Sequence, residues 1–494
     1  MYFLGYDIGS SSIKAALVDA KTLEEISVAK YPEKEMPIQS DKEGWAEQNP
    51  EEWWDNLISV TNLLLEKARV NRFDISAIGI AYQMHGLVLV DRQQQVLRPA
   101  IIWCDSRAVS IGQTAKEQLG EAFCLNHLLN TPGNFTASKL SWVKENEPGL
   151  YKKIYKFMLP GDFIGMKMTD EIVTTIGGLS EGIFWDFKEK RVSKEILDQF
   201  GIESKLVPEV VVGIGIQGKL SSGAAEILGL KPNIPIAYRA GDQPNNAMAL
   251  NVLKPGEIAA TGGTSGVIYG ISKKPLFDLK SRVNGFAHVN YTQENGMIGI
   301  LLCINGAGIQ YSWTRSLLGE QMSYEQIEQV AATVPIGANG LSFLPFGNGA
   351  ERIFENRMVG AHMSGIDLNR HSKPDIFRAT IEGIAFAFVY GARIMREMGL
   401  TIDKIRVGND NLFQSEIFSK TIAVLLHAKI EIYETTGASG AAKAAGVGAG
   451  FIDSIEEAMS TQKIIKTVLP DDEITSYQMA FNNWEKALEK QLKN

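Results

Sequence analysis

Cysteine is scarce in this chain. Cys104, Cys124 and Cys303 are the only three in 494 residues, and none stands in C-x-x-C spacing. Three thiols cannot complete a disulfide set, which points to a reducing compartment. No uninterrupted apolar run approaches the roughly 18–20 residues needed to span a bilayer. No basic stretch precedes an apolar one at the start, so a signal peptide is not expected. Clustered cations are missing too, and the net charge of −8 argues against a nucleic-acid partner. The motif G-x-x-x-x-G-K-[S/T] does not occur, which excludes a P-loop. These absences leave a soluble, cytoplasmic protein with neither membrane nor nucleic acid as partner.

What is present is the composition of an ordinary globular protein, 45% hydrophobic and 21% charged. The length exceeds that at which one core keeps growing, so two domains of roughly 200–250 residues are expected. We place them at residues 1–246 and 247–494. Strands and helices alternate, the mark of an α/β fold. Ala77–Ala81 reads as a buried strand. Pro50 to Trp54 opens a helix, with Asn49 as N-cap, proline in the first turn and acids against the dipole. Asp375–Met398, bounded by Pro374 and Gly399, predicts a long apolar helix buried between the lobes. Gly437–Gly450 is rich in alanine and glycine, which permits close helix packing or a ligand near the backbone. The tail from about Thr475 predicts a charged amphipathic surface helix.

Two distant stretches share one pattern. Tyr2–Val18 and Glu257–Tyr269 each run apolar, then glycine with hydroxyls, then apolar again. Each reads as a β-hairpin whose turn is built from Gly, Ser and Thr. Such turns expose backbone N–H groups and small hydroxyls, and glycine admits a bulky anion close to the chain. Two of them suggest related lobes gripping a polyphosphate.

Single residues are more ambiguous. Asp7 ends the first strand and suits either a hairpin-capping role or a magnesium ion beside bound phosphates. His85, in Gln83-Met84-His85-Gly86, could meet a polyol, although a lone histidine is more often structural. Asp242 follows a strand in Gly241-Asp242-Gln243-Pro244, where a general base or a helix N-cap would sit. Gly213-Ile214-Gly215-Ile216-Gln217-Gly218 fits the dinucleotide fingerprint literally. Its apolar alternation looks like a strand, and among 47 glycines one chance match is cheap.

Together these boxes resemble the FGGY-type carbohydrate kinases. The Asp7–Lys14 turn, Gln83–Gly86, Gly241–Gln243 and Gly263-Thr264-Ser265-Gly266 occur in that family's order and spacing. Within it the chain looks most like the xylulokinases. That likeness rests on Trp45–Trp54, Leu97–Trp103, Gly133–Leu140, Phe343–Phe346 and Gly349–Arg352, and it covers about residues 1–450. The resemblance implies a two-lobed actin/hexokinase/Hsp70-like ATPase fold, with duplicated ribonuclease H-like domains around a cleft. It implies ATP and Mg²⁺ as cofactors, a small-molecule sugar as partner, and room for a homodimer.

By the same resemblance Asp242 is the catalytic base. Met84, His85, Gln243, Trp103 and Asp105 line the sugar site. Gly9, Ser10, Ser11, Ser12 and Lys14, with Gly263, Thr264 and Ser265, hold the phosphates, and Asp7 lies near the metal. Where relatives carry a triple-glycine adenosine loop, this chain has Val407-Gly408-Asn409-Asp410-Asn411, so only Gly408 and Asn409 are carried over. The implied reaction is ATP-dependent phosphorylation of a ketopentose, D-xylulose to its 5-phosphate. Two alternatives stay open: a family kinase for L-xylulose, ribulose, fuculose, gluconate or glycerol, and an actin- or Hsp70-like nucleotide switch.

Overall fold

The computed structural model describes residues 1–409, 411–471 and 473–493; Asp410, in the Val407–Asn411 stretch, lies outside them. Two mixed sheets organise the chain. The first runs Ile214–Lys219, Pro235–Gly241, Ile75–Tyr82, Tyr2–Ile8, Ile13–Asp19, Glu25–Tyr31. The second runs Ile464–Val468, Lys429–Tyr433, Ile402–Gly408, Gly256–Gly262, Gly266–Ser272, Ile298–Ile304, with Asn284–Ala287 added at its edge. Across the first sheet, neighbours pair antiparallel, parallel, parallel, antiparallel, antiparallel. The second sheet repeats that sequence of senses. The lobes are thus duplicates, and the two Gly/Ser/Thr hairpins occupy equivalent places in them.

Local sequence explains the elements well. Asn49 accepts a hydrogen bond from Glu51 N and caps the helix Pro50–Ala68, whose Trp53, Leu57, Val60 and Leu64 are buried. The Gly213–Gly218 stretch contributes the strand Ile214–Lys219, and Ser221 caps the helix after it. That run of glycines is therefore sheet, paired to Pro235–Gly241.

The joint between lobes is made by two helices, Asp242–Ala249 and Gly437–Gly448, packed on each other. The second belongs in sequence to the C-terminal half but lies on the first sheet, against Tyr2–Ile8 and Ile75–Tyr82. Its small residues are needed because backbone meets backbone there. A Cβ on Gly5 would stand 2.0 Å from Ala438 O, and one on Gly79 would stand 2.0 Å from Ala441 O. The close-packing reading of Gly437–Gly450 holds.

Two expectations are corrected. The long helix, Lys373–Glu397, does not lie between the lobes. It packs within the C-terminal lobe against the helices Glu416–Leu426, Tyr324–Ala331 and Gly308–Leu318 and the strand Ser342–Phe346. The tail helix Ile474–Leu492 is not merely a surface element: Tyr477, Phe481, Trp484 and Leu488 are buried, and Trp484 Nε1 donates to Phe343 O at 3.1 Å. Its charges are spent on one face, and the aromatic face closes the core beneath the long helix. No helix of the described residues is long and apolar enough to cross a membrane.

Candidate active site

Three parallel strands of the first sheet end in register: Ile8 pairs with Tyr82, and Tyr82 with Gly241. The crevice at such strand ends is where α/β sheets bind ligands. Asp7, Met84, His85, Asp242 and Gln243 therefore converge there although 235 residues separate Asp7 from Asp242 in sequence. Asp242 and Asp7 are half-buried. Burial first, and the neighbouring Asp7 carboxylate second, push Asp242 up to about 7, while hydrogen bonds from Gln243 pull the other way. Burial also raises Asp7, against the attraction of Lys14. A carboxyl poised near neutrality in a cleft is suited to taking a proton from a hydroxyl.

His85 is held in a left-handed backbone conformation (φ 61°). Its Nδ1 lies 2.7 Å from Glu181 O, so Nδ1 carries the proton and Nε2 is left as an acceptor. Burial, and then the Lys139 ammonium, push its pKa down to about 3, keeping the ring neutral. Phe135 and Phe286 flank it at 5.0 and 5.3 Å between centroids. Met84 is buried against Gly241.

Glu181 was not legible in the sequence. It ends the short helix Ile176–Glu181, orients His85 through its carbonyl, and accepts the Tyr82 hydroxyl on Oε1. No motif marks it, because its partners lie almost a hundred residues earlier. Asn245 and Asn246, on the helix after Asp242, were missed likewise. A Cβ built on Gly437 would sit 3.1 Å from Asp7 Oδ2, 2.7 Å from Asn246 Oδ1 and 3.2 Å from Asn245 Nδ2. Buried Asn245 Oδ1 has no partner among the described residues.

This oxygen-lined cradle fits a magnesium ion, which takes one or two carboxylates and leaves its other positions to water and phosphates. Among the described residues no group of three or more His, Cys, Asp or Glu forms an all-protein metal cage.

The first hairpin turn, Gly9–Ser12, is supported from outside the sheet. Gln48 Nε2 donates to Ser10 O at 2.6 Å, and Trp53 Nε1 holds Gln48. Trp103, 53% exposed, aims Nε1 at Ser10 Oγ across 3.3 Å, so it bridges its own segment and the first turn. Lys14 is exposed, opposite Asp7 across the hairpin. Asp105 sits deeper than a direct sugar contact requires. It is fully buried, accepts from Ala46 N at 2.6 Å, and binds Arg107 through both oxygens. Arg107 in turn lies over Trp45 at 3.8 Å, so Asp105 fastens the Trp103 segment to Trp45–Glu47.

In the second lobe Gly263 O and Thr264 O accept from Gly308 N and Ile309 N, which seats the hairpin turn on the helix Gly308–Leu318. Thr264 is exposed, and Gly263 and Ser265 are half-buried. Beside the turn opens a cavity of about 900 Å³, lined among others by Gly262, Gly263, Tyr311, Tyr324, Gln414 and Ser415. That volume suits a nucleoside. Gly408 and Asn409 stand at the adjoining strand end, with Asn409 N bonded to Tyr433 O and Asn409 O to Gln414 Nε2. They reach this cavity through Gln414 and do not line it. A second cavity of about 830 Å³ touches Met84, Glu181 and Gly241 on one lobe and Phe286 and His288 on the other.

The sequence matches the FGGY family of carbohydrate kinases, N-terminal domain, over residues 2–249 and the C-terminal domain over residues 258–449. It is 31% identical over 468 residues to a xylulose kinase of Bacillus subtilis, covering 92% of this chain and 90% of that enzyme. A crystal structure of xylulose kinase from Rhodospirillum rubrum superposes with a TM-score of 0.89 at 24% identity, covering all of both chains. Glycerol kinase from Plasmodium falciparum, with ADP, also reaches 0.89, at 19% identity over 99% of this chain and 98% of that one, so the fold alone does not select a sugar. Kinases of this kind use ATP. The chain belongs to the FGGY family of carbohydrate kinases and is a phosphotransferase of the actin/hexokinase-like fold.

Proposed function

We propose that this kinase transfers the γ-phosphoryl group of Mg²⁺·ATP to O5 of D-xylulose. The observation that carries the reading is Asp242, raised to about 7 at a strand end beside Met84 and His85, with a Gly/Ser/Thr hairpin on each lobe. The relatives named as xylulose kinases support the choice of sugar.

Phosphoryl transfer asks the protein for positioning and charge neutralisation more than covalent chemistry. His85 Nε2 accepts one sugar hydroxyl, and Gln243 offers another contact. Asp242 takes the proton of the attacking hydroxyl. Gly9–Ser12 with Lys14, and Gly263–Ser265, bind the phosphates through backbone N–H groups and hydroxyls. Asp7 and Asn246 would hold magnesium, which when bound neutralises phosphate charge. The nucleoside occupies the 900 Å³ cavity, with Gly408 and Asn409 at its border. Closure of the lobes excludes water that would otherwise consume ATP. We place the boundary between the sugar-side and nucleotide-side domains at residue 247.

The decisive experiment is ADP release by purified protein with Mg²⁺·ATP and a ketose panel. D-xylulose should give the highest kcat/KM, with little turnover in the absence of sugar. A preference for another ketose or polyol redirects the substrate, and sugar-independent turnover favours a nucleotide switch.

The pH dependence follows from the same carboxyl. Asp242 accepts a proton only when ionised, so kcat/KM should fall as pH drops through about 7 and level off above it. A profile flat on both sides of neutrality counts against Asp242 as the base.

A further inference from the structure

One buried cation holds two segments of the site at once. Lys139 lies on the helix Thr136–Asn146 and is fully buried. Its Nζ donates to His85 O at 2.9 Å and to Ile102 O at 3.0 Å. The first carbonyl belongs to the left-handed turn that presents Met84 and His85. The second immediately precedes Trp103 and also accepts from Asp105 N at 3.2 Å.

The backbone explains why a donor is needed there. Leu87 and Ile101 exchange main-chain hydrogen bonds, Leu87 N to Ile101 O at 2.9 Å and Ile101 N to Leu87 O at 3.2 Å. Beyond that pair the chains part, one turning left-handed at His85 and the other entering the Trp103 segment. Two carbonyls, His85 O and Ile102 O, are left on the parting chains. They cannot satisfy each other, but an ammonium can donate to both. Residues beside Lys139 brace the same two segments. Thr136 Oγ1 donates to Gly86 O at 3.3 Å, Phe135 packs edge-on against the His85 ring, and Asn134 Nδ2 donates to Asp105 O.

An ammonium in the interior is costly, and burial pulls its pKa down to about 7 against the attraction of Asp105. A methionine would fill most of the same space without that cost, so packing alone does not call for lysine.

We propose that Lys139 is a positioning residue of the sugar site, its ammonium fixing the His85 turn against the Trp103 segment and thereby setting the affinity for sugar. The inference rests on the sugar-kinase reading above, in which both segments meet the sugar. Lys139 itself touches neither sugar nor phosphate and moves no proton. The contacts it holds in place are made alike before and during phosphoryl transfer, so its loss should register in the sugar KM more than in kcat.

The test compares wild type with Lys139→Met and Lys139→Gln under Mg²⁺·ATP and D-xylulose, well below each melting temperature. Lys139→Met removes the donors and keeps most of the stem. Its sugar KM should rise on the order of 10- to 100-fold, the scale of hydrogen bonds to a charged group. The ATP KM should stay near wild type, and kcat should fall by less than the sugar KM rises. Calorimetry of D-xylulose binding without ATP should show the same weakening. Lys139→Gln keeps two N–H donors at a shorter reach, so its sugar KM should lie between the other two. If the methionine variant does not fold, the glutamine variant decides: a raised sugar KM with an unchanged ATP KM supports the clamp. A folded variant with wild-type sugar KM, or one whose ATP and sugar KM rise together, overturns the proposal and leaves Lys139 a core residue. If wild type itself phosphorylates no sugar, the sugar-kinase reading falls and this inference with it, an outcome distinct from an active wild type that tolerates Lys139→Met.

Discussion

Asp242→Ala should lower kcat by about 10²- to 10⁴-fold, the usual loss when a general base is removed. Sugar binding should survive in part, because His85, Met84 and Gln243 remain in place. Asp242→Asn is the sharper form of the experiment. It keeps the volume and the first turn of the helix Asp242–Ala249, so a comparable loss there isolates proton acceptance from packing. Wild-type turnover in either variant would remove Asp242 from the mechanism. Stopped turnover together with a collapsed melting temperature in the alanine variant alone would point to the helix instead.

Gly79→Val should be strongly damaging although it lies outside the cleft. Gly79 lies in the middle of Ile75–Tyr82, and an added Cβ would meet Ala441 O at 2.0 Å and Ala441 C at 2.7 Å. Both are backbone atoms of the helix that crosses between the lobes, so no side chain can swing aside. Overpacking of a tight core commonly costs about 1–3 kcal/mol, occasionally more, and this site belongs at the upper end because a whole helix must shift. Displacing Gly437–Gly448 also displaces its N-terminus, which abuts Asp7, Asn245 and Asn246. The expected readout is a lower melting temperature together with weakened activity. Gly149→Ala serves as control, since nothing lies within 4 Å of the added carbon. Equal stability of the two variants would show that the interlobe contact yields more easily than its geometry indicates.

Both predictions concern residues whose local sequence says little about the distances involved. The Asp7 and Asp242 boxes could be read because each combines a strand end with glycine and a polar residue, a pattern set by neighbours in the chain. The same holds for Asn49 as a cap and for the alternation that marks Gly213–Gly218 as strand. Glu181 carries no such mark. Glu181 matters because Tyr82 and His85 arrive beside it. The helices Lys373–Glu397 and Ile474–Leu492 show the same limit. Their apolar faces were visible as periodicity, but periodicity names a buried face without naming what buries it.

The sequence by itself determined the α/β class, the two Gly/Ser/Thr hairpins, the order of the Gln83–Gly86 and Gly241–Gln243 boxes, and through these the family. Those are properties of short segments, where spacing, turn chemistry and capping act over a few residues. Only the tertiary structure decided that the lobes repeat one strand order, that a C-terminal helix seals the first sheet, and that Asp7 stands close enough to Asp242 to raise its pKa. The physical reason is range: a turn or cap is settled by contacts within a few positions. Burial, charge coupling and the absence of a partner depend on groups hundreds of residues apart, brought together only when the two sheets close on the helices between them.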